Sequence, residues 1–217
     1  MKYSFIAYLI IAFYNFCIAN TTPNQAANSK AKAGLILDAM SKKYAAIPSF
    51  NAKFTYSTEG TKESYKGDVT VKNKKFRLKL AGQEIYNNGV TVSTFIKETN
   101  EVNVSNFDPA EEGINPAKIY TIYKKGYKYT FIEEQKAGAS IYEVVELTPE
   151  KATSQIAKLR ITVDKKDKTV KSWKITTKDG KKQNFKIDKF VVLKGLADSH
   201  FNFDKSKNPG VEVIDLR

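Results

Sequence analysis

The stretch EIYNNGVTVSTFIKETNEVNV, residues 84–104, decides how this chain folds. It reads as two strands and two turns, with apolar side chains at about every second place. Asn87, Asn88 and Gly89 mark a tight turn, because Asn and Gly tolerate positive φ. A face built this way covers either an ordinary packed core or a cavity that holds an apolar ligand.

The same period of two extends on both sides. Upstream, SFNAKFTYSTE alternates Phe50, Ala52, Phe54 and Tyr56, and GDVTVKNKKFRLKLAG offers Val69, Val71, Phe76, Leu78 and Leu80. Downstream, YKYTFIEE, SIYEVVELTP, AKLRITVD, TVKSWKITT and KQNFKIDKFVV are separated by turns rich in Lys, Asp and Gly. Strands at such spacing form an antiparallel meander, and about ten of them in one domain call for a strongly curved sheet. Two helical segments interrupt the pattern. KAGLILDAMSKKYAAI places Leu35, Ile36, Ala39, Met40, Tyr44 and Ile47 at three- and four-residue spacing before Pro48. INPAKIYTIYKKG predicts a second, short helix capped by Asn115, with Pro116 in its first turn and Ile119, Ile122 and Tyr123 on one face.

The first nineteen residues predict an export signal. Lys2 supplies its charged start, an apolar run follows, and Cys17 and Ala19 occupy the small-residue positions before a cut after Ala19. Phe16 before Cys17 argues against lipid attachment there. Residues 20–30 are polar and aperiodic and are expected as a disordered lead-in, leaving one domain over residues 31–217. With the signal goes the only cysteine, so stability must come from burial.

The net charge is +13 for the whole chain, yet only Arg77, Arg160 and Arg217 are arginines. Nucleic-acid contacts favour arginine, and the lysines are scattered, so they read as solvated outer faces rather than a nucleic-acid site. No catalytic set stands out. His200 is the single histidine and reads as a turn residue with a solvated ring. Glu111–Glu112 and Glu133–Glu134 read as solvated charge, although a hydrolase working through such a carboxylate pair is the alternative from another class. No phosphate-binding glycine loop and no calcium loop is present, so neither cofactor nor metal is expected.

The motifs, taken in order, resemble those of the outer-membrane lipoprotein carrier (LolA) family over residues 47–215. IPSFNAKFTY is similar to the family's V-x-S-F-x-A-x-F-T-Q, and IYNNGVTVSTF to its I-x-x-D-G-x-T-L-W-x-Y. KGDVTVKNKKFRLKL, YEVVELTPE, LRITVD, SWKI and HFNFDKSKNPGVEVID resemble further family segments. Departures are Asn73-Lys74 for Arg-Pro, and Leu78 and Ser93 for two tryptophans; a family arginine linked to cargo handover is thereby missing.

The resemblance implies a mainly β fold: an unclosed antiparallel β-barrel of about ten to eleven strands, with a helical lid over a hydrophobic cavity. It implies a monomeric, non-enzymatic periplasmic carrier. Its cargo would be triacylated lipoprotein, taken from an ABC-type lipoprotein-releasing complex in the inner membrane and passed to an outer-membrane acceptor. A lipoprotein-sensing module on the same fold, or a purely structural exported domain with a filled core, are the other binding and structural readings. Alternation together with the family's inward aromatic positions assigns Phe76, Leu78, Leu80, Ile85, Val92 and Phe95 of the sheet to the acyl-chain cavity, and Met40, Ile119 and Tyr123 join them from the two helices.

Overall fold

The computed structural model describes residues 23–108 and 115–217. The expected export signal, its cut after Ala19 and the Glu111–Glu112 pair lie outside the described residues. One helix precedes twelve strands: α1 (Pro23–Ala45), β1 (Ser49–Thr58), β2 (Ser64–Lys72), β3 (Lys75–Leu80), β4 (Gln83–Asn87), β5 (Thr91–Ile96), β6 (Glu101–Asn106), β7 (Tyr127–Ala137), β8 (Ser140–Pro149), β9 (Ile156–Asp164), β10 (Val170–Thr177), β11 (Lys182–Leu193) and β12 (Glu212–Asp215).

All twelve strands form one sheet in the order β12-β6-β5-β4-β3-β2-β1-β11-β10-β9-β8-β7. The outer strands β12 and β7 are not paired to each other, so the barrel is unclosed, as the resemblance implies. Two meanders, β1–β6 and β7–β11, meet along the β1–β11 seam, where Ser49 lies opposite Leu193. The pairing is antiparallel except at β12, which joins β6 in parallel, Glu212 opposite Glu101. That exception follows from the C-terminal segment returning past the sheet instead of turning back through a hairpin.

Tight turns hold the β2–β6 registers. Asn73 and Lys74 connect Lys72 to Lys75, and Ala81 and Gly82 connect Leu80 to Gln83. Both central residues of the second turn have positive φ, 48° for Ala81 and 79° for Gly82, the left-handed twist that two-residue hairpins favour. At residues 87–91 the expected turn forms: Asn87 Oδ1 accepts from Gly89 N, and Asn88 Oδ1 accepts from the amides of Val90 and Thr91. Gly67 is required for a different reason. The Phe54 ring lies across it, and an added Cβ would sit 2.2 Å from Phe54 Cζ.

The inner face of the sheet carries the main core. Phe50, Ala52 and Phe54 of β1, Val69 and Val71 of β2, Phe76 of β3, Val145 and Leu147 of β8, Leu159, Ile161 and Val163 of β9, and Trp173 and Ile175 of β10 join one cluster. Strands so far apart in the sheet order share a core because the sheet curls around it. α1 closes the cluster with Ala33, Ile36, Leu37, Met40 and Tyr44, a stripe at three- and four-residue spacing. Leu35, expected on that stripe, is instead 73% exposed.

Two expectations for the helical parts are corrected. Residues 23–30 are not a disordered lead-in but the first turns of α1, held by Ser29 Oγ donating to Phe131 O (2.8 Å) and by Ser29–Thr130 (2.8 Å). The second helix is not α-helical. Asn115 caps as expected, its Oδ1 accepting from Ala117 N (2.8 Å), but the bonds that follow run three residues apart, Lys118 N to Asn115 O and Thr121 N to Lys118 O. The segment is a run of turns ending in a single 3-10 turn, Ile122–Lys124. Burial of Ala117, Ile119 and Tyr123 against the core outweighs the extra backbone bonds of a regular helix.

Candidate functional site

The candidate site is the inner face and the segments laid across it. α1 is tied down by few polar contacts. Tyr123 donates its hydroxyl to Asp38 Oδ1 (2.6 Å), Lys32 pairs with Glu134 (3.0 Å) and stands 3.7 Å over the Phe131 ring, and Val170 N donates to the Tyr44 hydroxyl (3.1 Å). The Tyr44 ring stacks on Tyr120 (4.9 Å between centroids), which couples the helix to the turn segment. Burial pushes the Tyr44 and Tyr123 hydroxyls up to about 12, in Tyr123 with help from the Asp38 carboxylate.

Of the nine residues assigned to the cavity, Met40, Phe76, Ile119 and Tyr123 are buried in the inner cluster, and Leu78, Leu80 and Ile85 pack half-buried against it. Pairing carries Phe76 to Asn87 and Asn87 to Val92, so Val92 shares that face but lies beyond the cluster. Phe95 is a correction. It sits opposite Glu84 and Val102 and belongs to a second cluster with Tyr86, Val102 and Val211, backed by Val104 and Phe203. A strand side chain three places from Val92 must face the other way, and the C-terminal segment covers it there. The opening stretch therefore covers two things: Ile85 and Val92 look inward, while Tyr86, Phe95, Val102 and Val104 look outward beneath residues 203–211.

Among the described residues two buried donors on the inner face lack partners, Trp173 Nε1, whose ring stacks on Phe185 at 5.0 Å, and Asn87 Nδ2. Neither stood out in the sequence, because a lone Trp in a strand and an Asn in a turn signal read as core and turn.

The outer face is polar and tightly wired. Glu84 Oε2 accepts from Arg77 Nη2 (2.7 Å) and from the Tyr86 hydroxyl (2.8 Å), while Lys97 and Lys79 stand 3.2 Å and 3.4 Å from Oε1. Burial would raise this carboxyl, but the hydrogen bonds from Arg77, Tyr86 and Lys97 outweigh it and hold it down to about 2. His200 does not have a solvated ring: Nε2 is buried without a partner, and burial followed by the charge of Arg77 lowers its pKa. Two cavities open on this face, of about 800 Å³ and about 390 Å³, and Arg77 and His200 line both. Glu133 and Glu134 are split between Gln135 and the lysines Lys32 and Lys165. Among the described residues no cluster of three His, Cys, Asp or Glu has the makings of a metal site.

The profile of the family described as outer membrane lipoprotein carrier protein LolA matches residues 45–204. Comparison with curated protein sequences finds no match. Among solved structures, an uncharacterized conserved protein from Thermus thermophilus is similar with a TM-score of 0.60 at 13% identity, covering 85% of this chain and 99% of that one. A DUF1329 family protein from Desulfovibrio piger has a TM-score of 0.50 at 11% identity, covering 83% of this chain and 99% of that one. A LolA superfamily protein from Nitrosomonas europaea reaches 0.45 at 14% identity, covering 80% and 98%. At such identities the first two speak for the fold alone.

Proposed function

Because the chain belongs to the outer membrane lipoprotein carrier protein LolA family, we propose that it carries lipoproteins across the periplasm by shielding their acyl chains against the inner face of the sheet. Loading would come from an ABC-type releasing complex in the inner membrane and unloading would go to an acceptor at the outer membrane. The protein itself performs no covalent chemistry in this reading.

The observation that carries the proposal is the continuous apolar inner face of an unclosed sheet, crossed by a helix that side-chain contacts, not a closed barrel wall, hold in place. Exposing one acyl chain of about 16 carbons to water costs on the order of 12 kcal/mol, at about 0.8 kcal/mol per methylene, so a triacylated protein cannot leave its membrane unaided. Met40, Ile36 and Leu37 of α1 occupy the inner face in this structure. Cargo chains would replace these side chains as α1 swings away, exchanging one apolar cover for another at little net cost in exposed area. Leu78, Leu80 and Ile85, half-buried on β3 and β4, mark the side where that exchange begins. Trp173 Nε1 and Asn87 Nδ2 offer hydrogen bonds to the ester oxygens that accompany the chains.

Native mass spectrometry and lipid extraction on protein purified from its own periplasm without detergent test the reading. Co-purifying acylated lipoprotein, released by detergent, is the expected result. A protein that carries no lipid and binds no apolar dye would overturn it.

A further inference from the structure

The outer face holds an arrangement that acyl-chain carriage does not use. Across the β11–β1–β2–β3 rung, Lys189 lies directly opposite Lys53, Lys53 opposite Asp68, and Asp68 opposite Lys79. Like charges facing each other on adjacent strands destabilise a sheet. Of these two lysines Asp68 stands opposite Lys53 only, and its Oδ1 accepts from Asn51 Nδ2 (2.9 Å); neither Lys53 nor Lys189 forms a salt bridge among the described residues. The next rung is Val191, Asn51, Thr70 and Arg77.

Both rungs floor the 390 Å³ cleft, and the 3-10 turn Asp198–Phe201 walls it with His200. That turn is fixed from below, Lys72 and Lys75 both binding Asp198 (2.8 Å and 2.6 Å). The lining thus holds four cations and the single carboxylate of Asp68; Arg77 and Lys79 are paired with Glu84 beside the cleft, which leaves Lys53 and Lys189 as the two without a salt bridge among the described residues. It also holds two buried nitrogens without partners, Arg77 Nε and His200 Nε2. Arg77 is only half committed, since its Nη2 is spent on Glu84 while Nε is left over. Buried polar atoms are seldom left unpaired, and a local rule broken without compensation points to a site.

We propose that this cleft binds a phosphate group, with Lys53 and Lys189 neutralising its charge and Arg77 Nε and His200 Nε2 bonding its oxygens. A phosphate suits the lining better than a carboxylate because it brings up to two negative charges and enough oxygens to reach donors from several strands at once. The phosphate is either free in solution or part of an anionic lipid headgroup; the chemistry of the cleft is the same for both. The site does not depend on the carrier reading, being on the opposite face.

His200 is the only histidine in the chain, so its ring signals in NMR report the cleft without assignment. In the protein at neutral pH, inorganic phosphate is expected to shift those signals saturably, beyond the effect of sodium chloride at equal ionic strength. Lys53→Gln combined with Lys189→Gln is expected to weaken the response about tenfold or more, at roughly 1.4 kcal/mol per tenfold, and to leave the melting temperature equal or higher because the repulsion is gone. Phosphatidylglycerol vesicles that compete with inorganic phosphate would identify a lipid source, and vesicles without effect a soluble one; both outcomes stand with the site. Signals that neither probe moves, or a double variant that responds like the parent, would overturn it.

Discussion

Leu80 and Phe95 look interchangeable in the sequence, two apolar residues in alternating strands, yet they face opposite sides of one sheet. Leu80→Glu places a charge at the half-buried start of the inner face, so it is expected to leave the protein folded and to abolish acyl-chain retention. Phe95→Glu buries a charge against Tyr86 and Phe203, and is expected to lower the melting temperature without a selective effect on lipid. Circular dichroism melts alongside lipid extraction distinguish the two. Ala81 carries a separate cost, because its φ of 48° belongs to a region that L side chains with a Cβ avoid. Ala81→Asn, which tolerates that region and keeps the turn, is expected to raise stability by about 1 kcal/mol in a denaturant titration. Parity was legible at this scale: the alternation that makes 91–96 a strand also separates Val92 from Phe95. Pairing both to one cavity follows the family's aromatic positions and breaks the period.

At the scale of elements, strands and turns were legible because each signal is local. The turn at residues 87–89 needs only its own side chains, and the periods of two need only neighbours. The long α1 and the segment 115–126 were less so, since distant partners set them. Ser29 is helical because Thr130 and Phe131 hold it, and residues 117–123 stay in turns because the core claims Ile119 and Tyr123. The Tyr123–Asp38 bond ties these two covers together. Tyr123→Phe removes it while keeping the ring, and is expected to cost about 1 kcal/mol and to speed amide hydrogen exchange along α1 more than along β8 or β9. Uniform acceleration across the sheet would instead make the bond a part of global stability.

For the whole molecule, the outer face sets the response to acid. Glu84 has a folded pKa of about 2, below its ordinary 4.5, so its contribution is fully present above pH 4.5 and is lost as pH falls toward 2. Stability is expected to decline across that window, and Glu84→Gln is expected to flatten the decline while lowering stability at neutral pH, where Arg77, Lys79 and Lys97 would lose their shared anion. Denaturant midpoints measured over pH check both. None of this wiring was legible, since Glu84, Arg77, Lys97 and His200 meet only once the sheet and the C-terminal segment are in place. The β1–β11 seam also governs when the molecule can form at all. Each meander assembles from neighbours, but Ser49 cannot meet Leu193 until nearly the whole chain has been delivered. Loop closure over that distance slows the last step. In any chain that emerges N-terminus first, β1 therefore waits with one edge unpaired until β11 has followed it out.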